Sequence, residues 1–303
     1  MSTAPLAITI AAGLALGLDW AFREPPADYH PVTVFGRVID RVDREYRRPR
    51  LAGALLAVVL PAATALVVYA VLWLLRPPIV TGIVAGLLLW STSSFRLLLD
   101  IAGRAIEEST TDLDSAREVL PALVGREVED LSPELVRSAA VESAAENLSD
   151  GLVAPLLVFG VLAFVSLPAA GAGAAYVKAV NTMDSMLGYP GEFGWGSARL
   201  DDLVMFVPAR VTAVMLALVM GAPDAWWRAR RYARKTASPN AGWPMGTMAA
   251  ALNVRLEKQG VYVLNEVADY PSVADGDEAL SAVTRVGLVS YTLVAFVGVI
   301  RWL

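Results

Sequence analysis

Apolar residues lie in long runs along this chain, and the polar segments between the runs hold most of its charge. A helix needs about 20 consecutive apolar residues to cross the hydrocarbon core of a membrane. Six runs approach or exceed that length: residues 4–18, 51–75, 79–99, 152–176, 203–221 and 284–303. The pattern predicts an all-α fold, a polytopic integral membrane bundle with about four to six membrane helices in one domain over residues 1–303.

The charge of the polar segments predicts the side of the membrane on which they lie. If all six runs cross, segments 19–50, 100–150 and 222–282 share one side and together hold 18 Lys and Arg residues, whereas the opposite segments hold three. Cytoplasmic loops are enriched in Lys and Arg. Segments 100–150 and 222–282 are therefore predicted to be cytoplasmic polar segments with amphipathic helices, in a multi-pass protein of the cell membrane.

The runs at 152–176 and 203–221 are less regular than the other four. The first is rich in Gly and Ala and contains Pro168, and the second contains Pro208 and Arg210. Ionisable groups are costly in lipid, so both runs are predicted to be re-entrant or to line a polar cavity open to the cytoplasm. Loop charge does not decide whether they cross, because the outer segments keep their sides if both cross or neither does.

Composition excludes several kinds of site. The 303 residues include no cysteine and one histidine, His30, which rules out disulfides, thiolate metal sites and histidine-rich metal clusters. The formal net charge of −5 argues against nucleic acid as a partner, since no basic surface able to neutralise a row of phosphates is evident. His30 stands before Pro31, and a lone histidine is more often structural than catalytic.

A first polar cluster lies in AAVESAAENLSDGLVAPLL, residues 139–157, with Glu142, Glu146 and Asp150 at i, i+4 and i+8. On a regular helix these carboxylates fall within a sector of about 80° and repel one another. No Lys or Arg lies in the stretch to pair with them. A bound divalent cation is one explanation, since Mg²⁺ takes carboxylate oxygens together with substrate phosphates. The alternative is a solvated acidic helix face.

A second polar cluster lies in residues 178–202. Lys178, Asn181 and Ser185 share one side of a predicted helix, with Asp184 nearby. After a turn rich in glycine and aromatic residues come Arg199, Asp201 and Asp202. Carboxylates and an amide hold metal ions, whereas Lys and Arg hold phosphate or carboxylate oxygens. The alternative is a charged interfacial loop.

A third cluster is ARKTASPNAGWP, residues 233–244, which follows Arg230 and Arg231. Basic residues beside a glycine-containing turn suit an anion such as phosphate. A basic run just past a membrane helix is also what positive-inside retention produces, and physics alone favours that explanation.

Six short runs stand out together over residues 18–244: HPV with Gly36, VGRE at 124–127, AAVESAAENLSDGLVAPL, VNTMDSMLGY, FGWGSARLDDLVMFVPARVTA and SPNAGWP. In this order they closely resemble the cobalamin-biosynthesis family named CbiB or CobD, the adenosylcobinamide-phosphate synthases. Any one run is weak, but the combination is highly specific. The sequence departs from the family at Glu24, in REPP where Gly-Asp-Pro is usual, and at Glu127, where Asp usually follows VGR. Both changes keep an acid. The part after residue 250 resembles the family only loosely.

The resemblance implies an amide-bond-forming ligase in the membrane. It joins adenosylcobyric acid, through a propionate side chain, to the amine of an aminoalcohol phosphate, typically 1-aminopropan-2-ol O-phosphate. ATP is the implied co-substrate and Mg²⁺ the implied cofactor. The chain has no GxxxxGK[ST] loop and no dinucleotide-binding glycine pattern, so ATP binding rests on the resemblance alone.

The resemblance marks positions, and the following roles are hypotheses for them. Metal ligands or a base are expected among Glu142, Glu146, Asp150, Asp184, Asp201 and Asp202. Orienting amides are expected at Asn147 and Asn181. Charge on a phosphate or acyl phosphate would be met by Lys178, Arg199 and Arg210. Contacts to the nucleotide or to the aminoalcohol phosphate are expected from Lys235, Ser238 and Asn240.

Two other classes of membrane protein are alternatives. A Mg²⁺-dependent prenyl- or phosphoalcohol transferase also uses paired acidic motifs, and NTMD with DD resembles such a pair. It would use a polyprenyl diphosphate or CDP-alcohol and ignore corrinoids. A transporter often carries an internal repeat, and no convincing repeat is present in this chain. The aminoalcohol, the division of roles among the acids and the oligomeric state are not fixed by the sequence.

Overall fold

The computed structural model describes residues 4–125, 128–189 and 191–301. Glu127, one of the two departures from the family pattern, lies outside the described residues, as does Pro190 in the glycine- and aromatic-rich turn. Within the described ranges the fold is all-α apart from one β-hairpin, which confirms the predicted class.

Helices make up most of the described chain, and eight of the fourteen have proline at their first or second position. A proline there loses no hydrogen bond, because the first N–H groups of a helix have no partner within it. The helices are α1 (Ala4–Phe22), α2 (Pro31–Val42), α3 (Pro49–Leu74), α4 (Pro78–Trp90), α5 (Phe95–Thr111), α6 (Leu113–Val119), α7 (Pro133–Leu148), α8 (Ala154–Ala163), α9 (Leu167–Leu187), α10 (Trp195–Val204), α11 (Phe206–Val219), α12 (Pro223–Ala229), α13 (Gly242–Leu252) and α14 (Val273–Ile300).

The hairpin lies in the C-terminal part of the chain. Its strands β1 (Leu256–Lys258) and β2 (Tyr262–Leu264) are antiparallel, with Glu257 opposite Val263. Gly260 in the connecting turn has a φ of +71°, a left-handed conformation that glycine adopts without steric cost.

The chain forms two compact units, which are described separately below. Unit 1 comprises residues 1–94, 150–205 and 289–303. Unit 2 comprises residues 95–149 and 206–288.

Five stretches of helix are long and apolar enough to cross a membrane: Pro5–Phe22, Pro49–Leu74, Pro78–Thr111, Pro133–Ala163 and Val273–Ile300. A sixth candidate is the pair α10 and α11, which is bent by 47° and has the form of a broken span or a re-entrant loop. The chain is therefore a multi-pass helical membrane protein. Within the described residues, the predictions at 4–18, 51–75, 79–99 and 284–303 coincide over most of their length with such helices. The irregularity predicted at 203–221 falls in the bent pair.

The run at 152–176 is divided between two helices and is not one continuous span. Helix α8 ends at Ala163, and α9 begins at Leu167 after a short turn. The hydroxyl of Ser166 accepts a hydrogen bond from the Ala169 amide at 3.1 Å and caps α9. Pro168, at the second position of α9, starts a new helix where the sequence analysis placed the middle of a span.

Unit 1 packs its helices closely through small residues. A Cβ on Gly53 of α3 would lie 1.9 Å from the carbonyl oxygen of Phe193, so only glycine lets the turn before α10 rest on α3. Phe193 belongs to a buried cluster with Ile39, Met183 and Leu187. The glycine- and aromatic-rich turn of the second cluster is thereby fixed against the start of α3.

Unit 2 is held partly by buried polar contacts. The side chain of Arg137 on α7 is nearly enclosed, with 9% of its surface exposed. Its guanidinium donates to the carbonyl of Pro271 at 2.6 Å and to the Ser109 hydroxyl at 3.0 Å. These bonds tie α7 to α5 and to the segment before α14.

Candidate functional site

Asp201 on α10 is buried in unit 1 among other carboxylates. Only 7% of its surface is exposed. The charges of Asp150, Asp184 and Asp202 all act on it, and the side chain of Asn181 hydrogen-bonds to it. Its Oδ1 atom has no hydrogen-bond partner within the described residues. The second predicted cluster and Asp150 of the first are thus brought together in unit 1, around a carboxylate with spare capacity to bind.

Ser197 lies one turn before Asp201 on the same helix. It is 2% exposed, and its Oγ atom has no hydrogen-bond partner in the part of the chain that the structure describes. Buried polar atoms are normally satisfied, so two orphaned oxygens one turn apart indicate a place for a ligand, ion or water. Ser197 is not among the predicted site residues, although it lies inside the run FGWGSARLDD.

Asp184 reaches the same group from α9, outside the candidate spans. Burial and then the neighbouring charge of Asp202 raise the pKa of Asp184 above its usual value. A carboxyl in that environment favours a proton or a cation as its partner. The predicted role of Asp184 and Asp201 as metal ligands or base stays a prediction.

Lys178 lies on the same helix as Asp184 and carries a positive charge into unit 1. The charges of Glu24 and Asp150 act on its ammonium group. Glu24 also accepts a hydrogen bond from the Ser94 hydroxyl. The acid that replaces the family's usual Asp therefore acts electrostatically on Lys178, a relation that sequence spacing does not reveal.

His30 is the N-cap of α2 and is 7% exposed. Its Nδ1 atom accepts a hydrogen bond from the Val32 amide at 3.1 Å. Burial lowers the pKa of His30, the nearby Glu24 opposes that shift, and Lys178 adds to it. Its Nε2 atom is buried without a partner among the residues described. The structural role expected for the lone histidine is confirmed for one nitrogen of the ring.

Arg199 is not part of this buried group. Its side chain is 65% exposed and pairs with Asp202 at 3.2 Å, three residues along α10. An exposed pair of this kind contributes little to stability. Arg199 is available to an anion at the surface of unit 1.

The first predicted cluster is divided at Asp150. Helix α7 ends at Leu148, and residues Ser149–Val153 form one turn of π-helix. Asp150 therefore lies in a π turn, beyond the regular α-helix that carries Glu142 and Glu146. Asn147 turns back on α7, where its Nδ2 atom donates to the carbonyl of Ser143 at 2.9 Å.

Glu142 is a structural anchor of unit 2 and does not lie on a solvated face. It is 3% exposed. Its Oε2 atom accepts from the Tyr262 hydroxyl at 2.6 Å, and its Oε1 atom accepts from the Ser138 hydroxyl at 3.0 Å. Ser138 in turn accepts from the amide of Glu257 at 2.8 Å. The alternative of a solvated acidic face is therefore wrong at Glu142, whose carboxylate fastens the hairpin to α7.

The third cluster forms a tight turn held by Arg210. The Arg210 guanidinium donates to Asn240 Oδ1 at 2.5 Å and to the Pro239 carbonyl at 3.2 Å, and it lies over the ring of Trp243. Ser238 Oγ accepts from the amide of Asn240 at 3.2 Å. The structure joins Arg210, Ser238 and Asn240 to one another.

Lys235 stands apart from that turn, at the surface of unit 2. Its ammonium lies 3.5 Å from Glu266, and both side chains are exposed. The predicted contact of Lys235 with a nucleotide or phosphate stays a prediction.

The acidic group of unit 1 fits a magnesium ion in a limited way. Among the described residues, no three Asp, Glu or His side chains are arranged to hold one metal ion. Mg²⁺ needs fewer, because it commonly takes one or two carboxylates and completes its shell with water and substrate phosphates. The orphaned Oδ1 of Asp201 is the donor atom best placed for that role, with Asp184 or Asp150 beside it.

Fold and site together define a class: a multi-pass helical membrane protein with acidic, basic and amide side chains gathered inside its bundle. Polar groups at such positions are costly and usually functional. Residues 12–288 match the family model described as CobD/Cbib protein. The chain therefore belongs to the CobD/CbiB family of cobalamin biosynthesis, and the resemblance found in the sequence is confirmed.

Curated relatives agree with that assignment. A cobalamin biosynthesis protein CobD from Rhodobacter capsulatus is 39% identical over 319 residues, covering 95% of this chain and 96% of the relative. A probable cobalamin biosynthesis protein CobD from Methanothrix thermoacetophila is 36% identical over 306 residues, covering 93% and 94%. A cobalamin biosynthesis protein CobD from Geobacter metallireducens is 36% identical over 291 residues, covering 91% and 89%. No solved structure matches the chain.

Proposed function

We propose that this protein is an adenosylcobinamide-phosphate synthase that forms an amide between adenosylcobyric acid and an aminoalcohol phosphate, with ATP and Mg²⁺. Family membership supports a step of cobalamin biosynthesis. The observation that carries the proposal further is the buried group of unit 1, where Asp201 with an orphaned oxygen lies among Asp150, Asp184 and Asp202. A ligase that handles phosphorylated substrates needs carboxylates of this kind to hold a divalent cation.

The proposed reaction has two steps. The propionate carboxylate attacks the γ-phosphorus of ATP, giving an acyl phosphate and releasing ADP. The amine of the aminoalcohol phosphate then attacks the acyl carbon, phosphate leaves, and the amine loses a proton. When bound, Mg²⁺ offsets the charge of the phosphate oxygens.

The side chains of unit 1 supply binding and proton transfer in this proposal. Asp201 with Asp184 or Asp150 would hold the metal ion, and Asn181 would orient Asp201. Asp184, whose pKa is raised by burial, is suited to accept the proton released by the amine. Lys178 would meet the charge of the acid substrate.

The residues of unit 2 have less direct roles in the proposal. Glu142 and Asn147 position α7, and Arg210, Ser238 and Asn240 shape one turn. That turn and, separately, Lys235 are the proposed contacts of the nucleotide or the aminoalcohol phosphate. Glu146 and Arg199 are further candidates for the metal ion and the phosphate.

The test uses purified protein in detergent with adenosylcobyric acid, 1-aminopropan-2-ol O-phosphate, ATP and Mg²⁺. A corrinoid mass gain equal to the aminoalcohol phosphate minus water is expected. Asp201→Asn and Asp184→Asn should each lower the rate by about 100-fold or more. Asp114→Asn is the matched control, because its carboxylate is 94% exposed on α6.

Two results would contradict the proposal. A folded sample that forms no corrinoid amide but turns over a polyprenyl diphosphate or a CDP-alcohol would identify a transferase. Equal loss of activity in Asp114→Asn and Asp201→Asn would show that the buried acidic group has no specific role in the reaction.

A further inference from the structure

A cleft opens in unit 1 beside Lys178. Its volume is about 420 Å³ including the open mouth, and helices α2, α3, α4 and α9 supply its walls. Phe35, Val68 and Leu88 are among the apolar residues of the walls. Of the described residues that line the cleft, Lys178 is the only charged one.

The hydroxyl groups in the cleft already donate their protons to the backbone. Thr64 donates to the carbonyl of Leu60 at 3.0 Å, and Thr182 donates to the carbonyl of Lys178 at 2.8 Å. The hydroxyls of Ser91 and Thr92 bond in the same way to carbonyls of α4. A hydroxyl has one proton, so these groups have none left for an anion. Hydrogen bonds to a bound anion must come from other side chains.

His30 supplies such a donor, because its hydrogen bond to the backbone fixes its tautomer. Nδ1 accepts the Val32 N–H, so Nδ1 carries a lone pair and the proton of the neutral ring is on Nε2. Nε2 is buried without a partner among the described residues. The next two residues, Pro31 and Val32, line the cleft, and the charge of Lys178 acts on the ring.

We propose that the Nε2–H of His30 and the ammonium of Lys178 together bind one carboxylate at the end of a short aliphatic arm, whose methylene groups occupy the apolar cleft. The histidine acts here as a hydrogen-bond donor and does not act as a base, since its lone pair is used by Val32.

The charges around Lys178 favour a carboxylate over a phosphate. Glu24 and Asp150 already place negative charge near the ammonium. A carboxylate adds one negative charge beside Lys178 and a phosphate adds up to two, so repulsion by both acids disfavours a phosphate more strongly than a carboxylate. The narrow apolar walls also suit methylene groups better than a second polar end.

This inference rests on the proposed function in one respect: adenosylcobyric acid is a substrate with a carboxylate on a short aliphatic arm. The cleft would then hold that propionate arm, and the reacting carboxylate would lie between His30 and Lys178. His30 thereby gains a role in binding the substrate carboxylate, in addition to the structural role expected for it from the sequence.

The test exploits a chain without cysteine. Thr64→Cys places one thiol in the wall of the cleft, and the rate of maleimide labelling reports whether the cleft is filled. Val68→Cys is a second reporter. Two pairs of ligands are compared: adenosylcobyric acid with the same corrinoid bearing a primary amide in place of the carboxylate, and butanoate with butanamide.

Two substitutions are then added to each reporter. His30→Asn keeps an acceptor for the Val32 amide, because asparagine is a good N-cap, but it removes the Nε2–H. Lys178→Met removes the ammonium and keeps much of the side-chain length. Lys258→Met, on the hairpin of unit 2, is the control for loss of a lysine, and melting temperatures confirm that each variant is folded.

The acid of each pair should protect the thiol at a concentration about tenfold lower than the amide does. His30→Asn and Lys178→Met should bring acid and amide to within about twofold, whereas Lys258→Met should change nothing. Protection by butanoate without protection by the corrinoid acid would keep the carboxylate site and reject the corrinoid ligase. Equal protection by acid and amide, or full discrimination in His30→Asn, would overturn the inference even if ligase activity were intact.

Discussion

Replacing Tyr262 with phenylalanine should loosen the hairpin of unit 2. The hydroxyl of Tyr262 donates to Oε2 of Glu142 at 2.6 Å, and that carboxylate belongs to a residue only 3% exposed. A hydrogen bond to a charged group contributes about 1.5–3 kcal/mol. Tyr262→Phe should therefore increase the opening equilibrium of the hairpin by about 10- to 150-fold.

Hydrogen exchange of the Glu257 amide measures that opening. This amide donates to Ser138 Oγ at 2.8 Å, so it is exposed to solvent only when β1 leaves α7. Its exchange rate in detergent should rise by the factor given above, with little change in the amides of α5.

Tyr232→Phe is the matched control, since Tyr232 donates to the neutral Oδ1 of Asn265 at 3.1 Å. Loss of a neutral bond costs about 0.5–1.5 kcal/mol, and the Glu257 amide should respond less. Unchanged exchange in Tyr262→Phe, or a larger effect in Tyr232→Phe, would refute the anchoring role of Glu142.

Three further predictions concern packing, the Arg210 turn and pH. Gly53→Ala should destabilise the protein by about 1–3 kcal/mol in a thermal melt, because the new Cβ would lie 1.9 Å from the Phe193 carbonyl oxygen. Gly13→Ala is the control: its new Cβ has nothing within 4 Å, so the substitution should be neutral or stabilising. Equal effects of the two substitutions on the melting temperature would contradict this packing. Arg210→Lys and Asn240→Ala should each cost about 1–2 kcal/mol, with a double-mutant coupling of about 1 kcal/mol; simple additivity would show that the 2.5 Å bond contributes nothing. Burial lowers the pKa of His30 below 6.5, so its stabilising contribution is present above that pH and is lost as pH falls below it. Between about pH 7.5 and pH 5.5 the melting temperature should fall further for the parent chain than for His30→Asn, and parallel curves would argue against a buried neutral imidazole.

The parts of the fold that follow from local sequence were predictable. Long apolar runs gave the membrane helices, and FGWGSARLDD with NTMD pointed to the buried acidic group of unit 1. The signal for the break at Ser166 was also present, since a capping serine followed by Pro168 is typical of a helix start.

The π turn and the partners of Glu142 could not be predicted, because no local sequence pattern indicates them. The π turn at Ser149–Val153 ends the regular α-helix before Asp150, although nothing in LSDGLV distinguishes this turn from an α-helix. The sequence left Glu142 as either a metal ligand or a solvated acid, because its partner Tyr262 lies in the part of the chain with loose family resemblance. A search for an oppositely charged neighbour of Glu142 considers only Lys and Arg, whereas the actual partners are the hydroxyl groups of Ser138 and Tyr262.

The bond between Glu142 and Tyr262 also has a consequence for biosynthesis. The two residues are 120 positions apart. At synthesis rates of roughly 5–20 residues per second, about 6–24 s pass between the appearance of Glu142 and that of Tyr262. During that interval the nascent α7 carries an acid without its tyrosine donor, so chains released from ribosomes stalled before the hairpin should be more protease-sensitive at α7 than the complete chain.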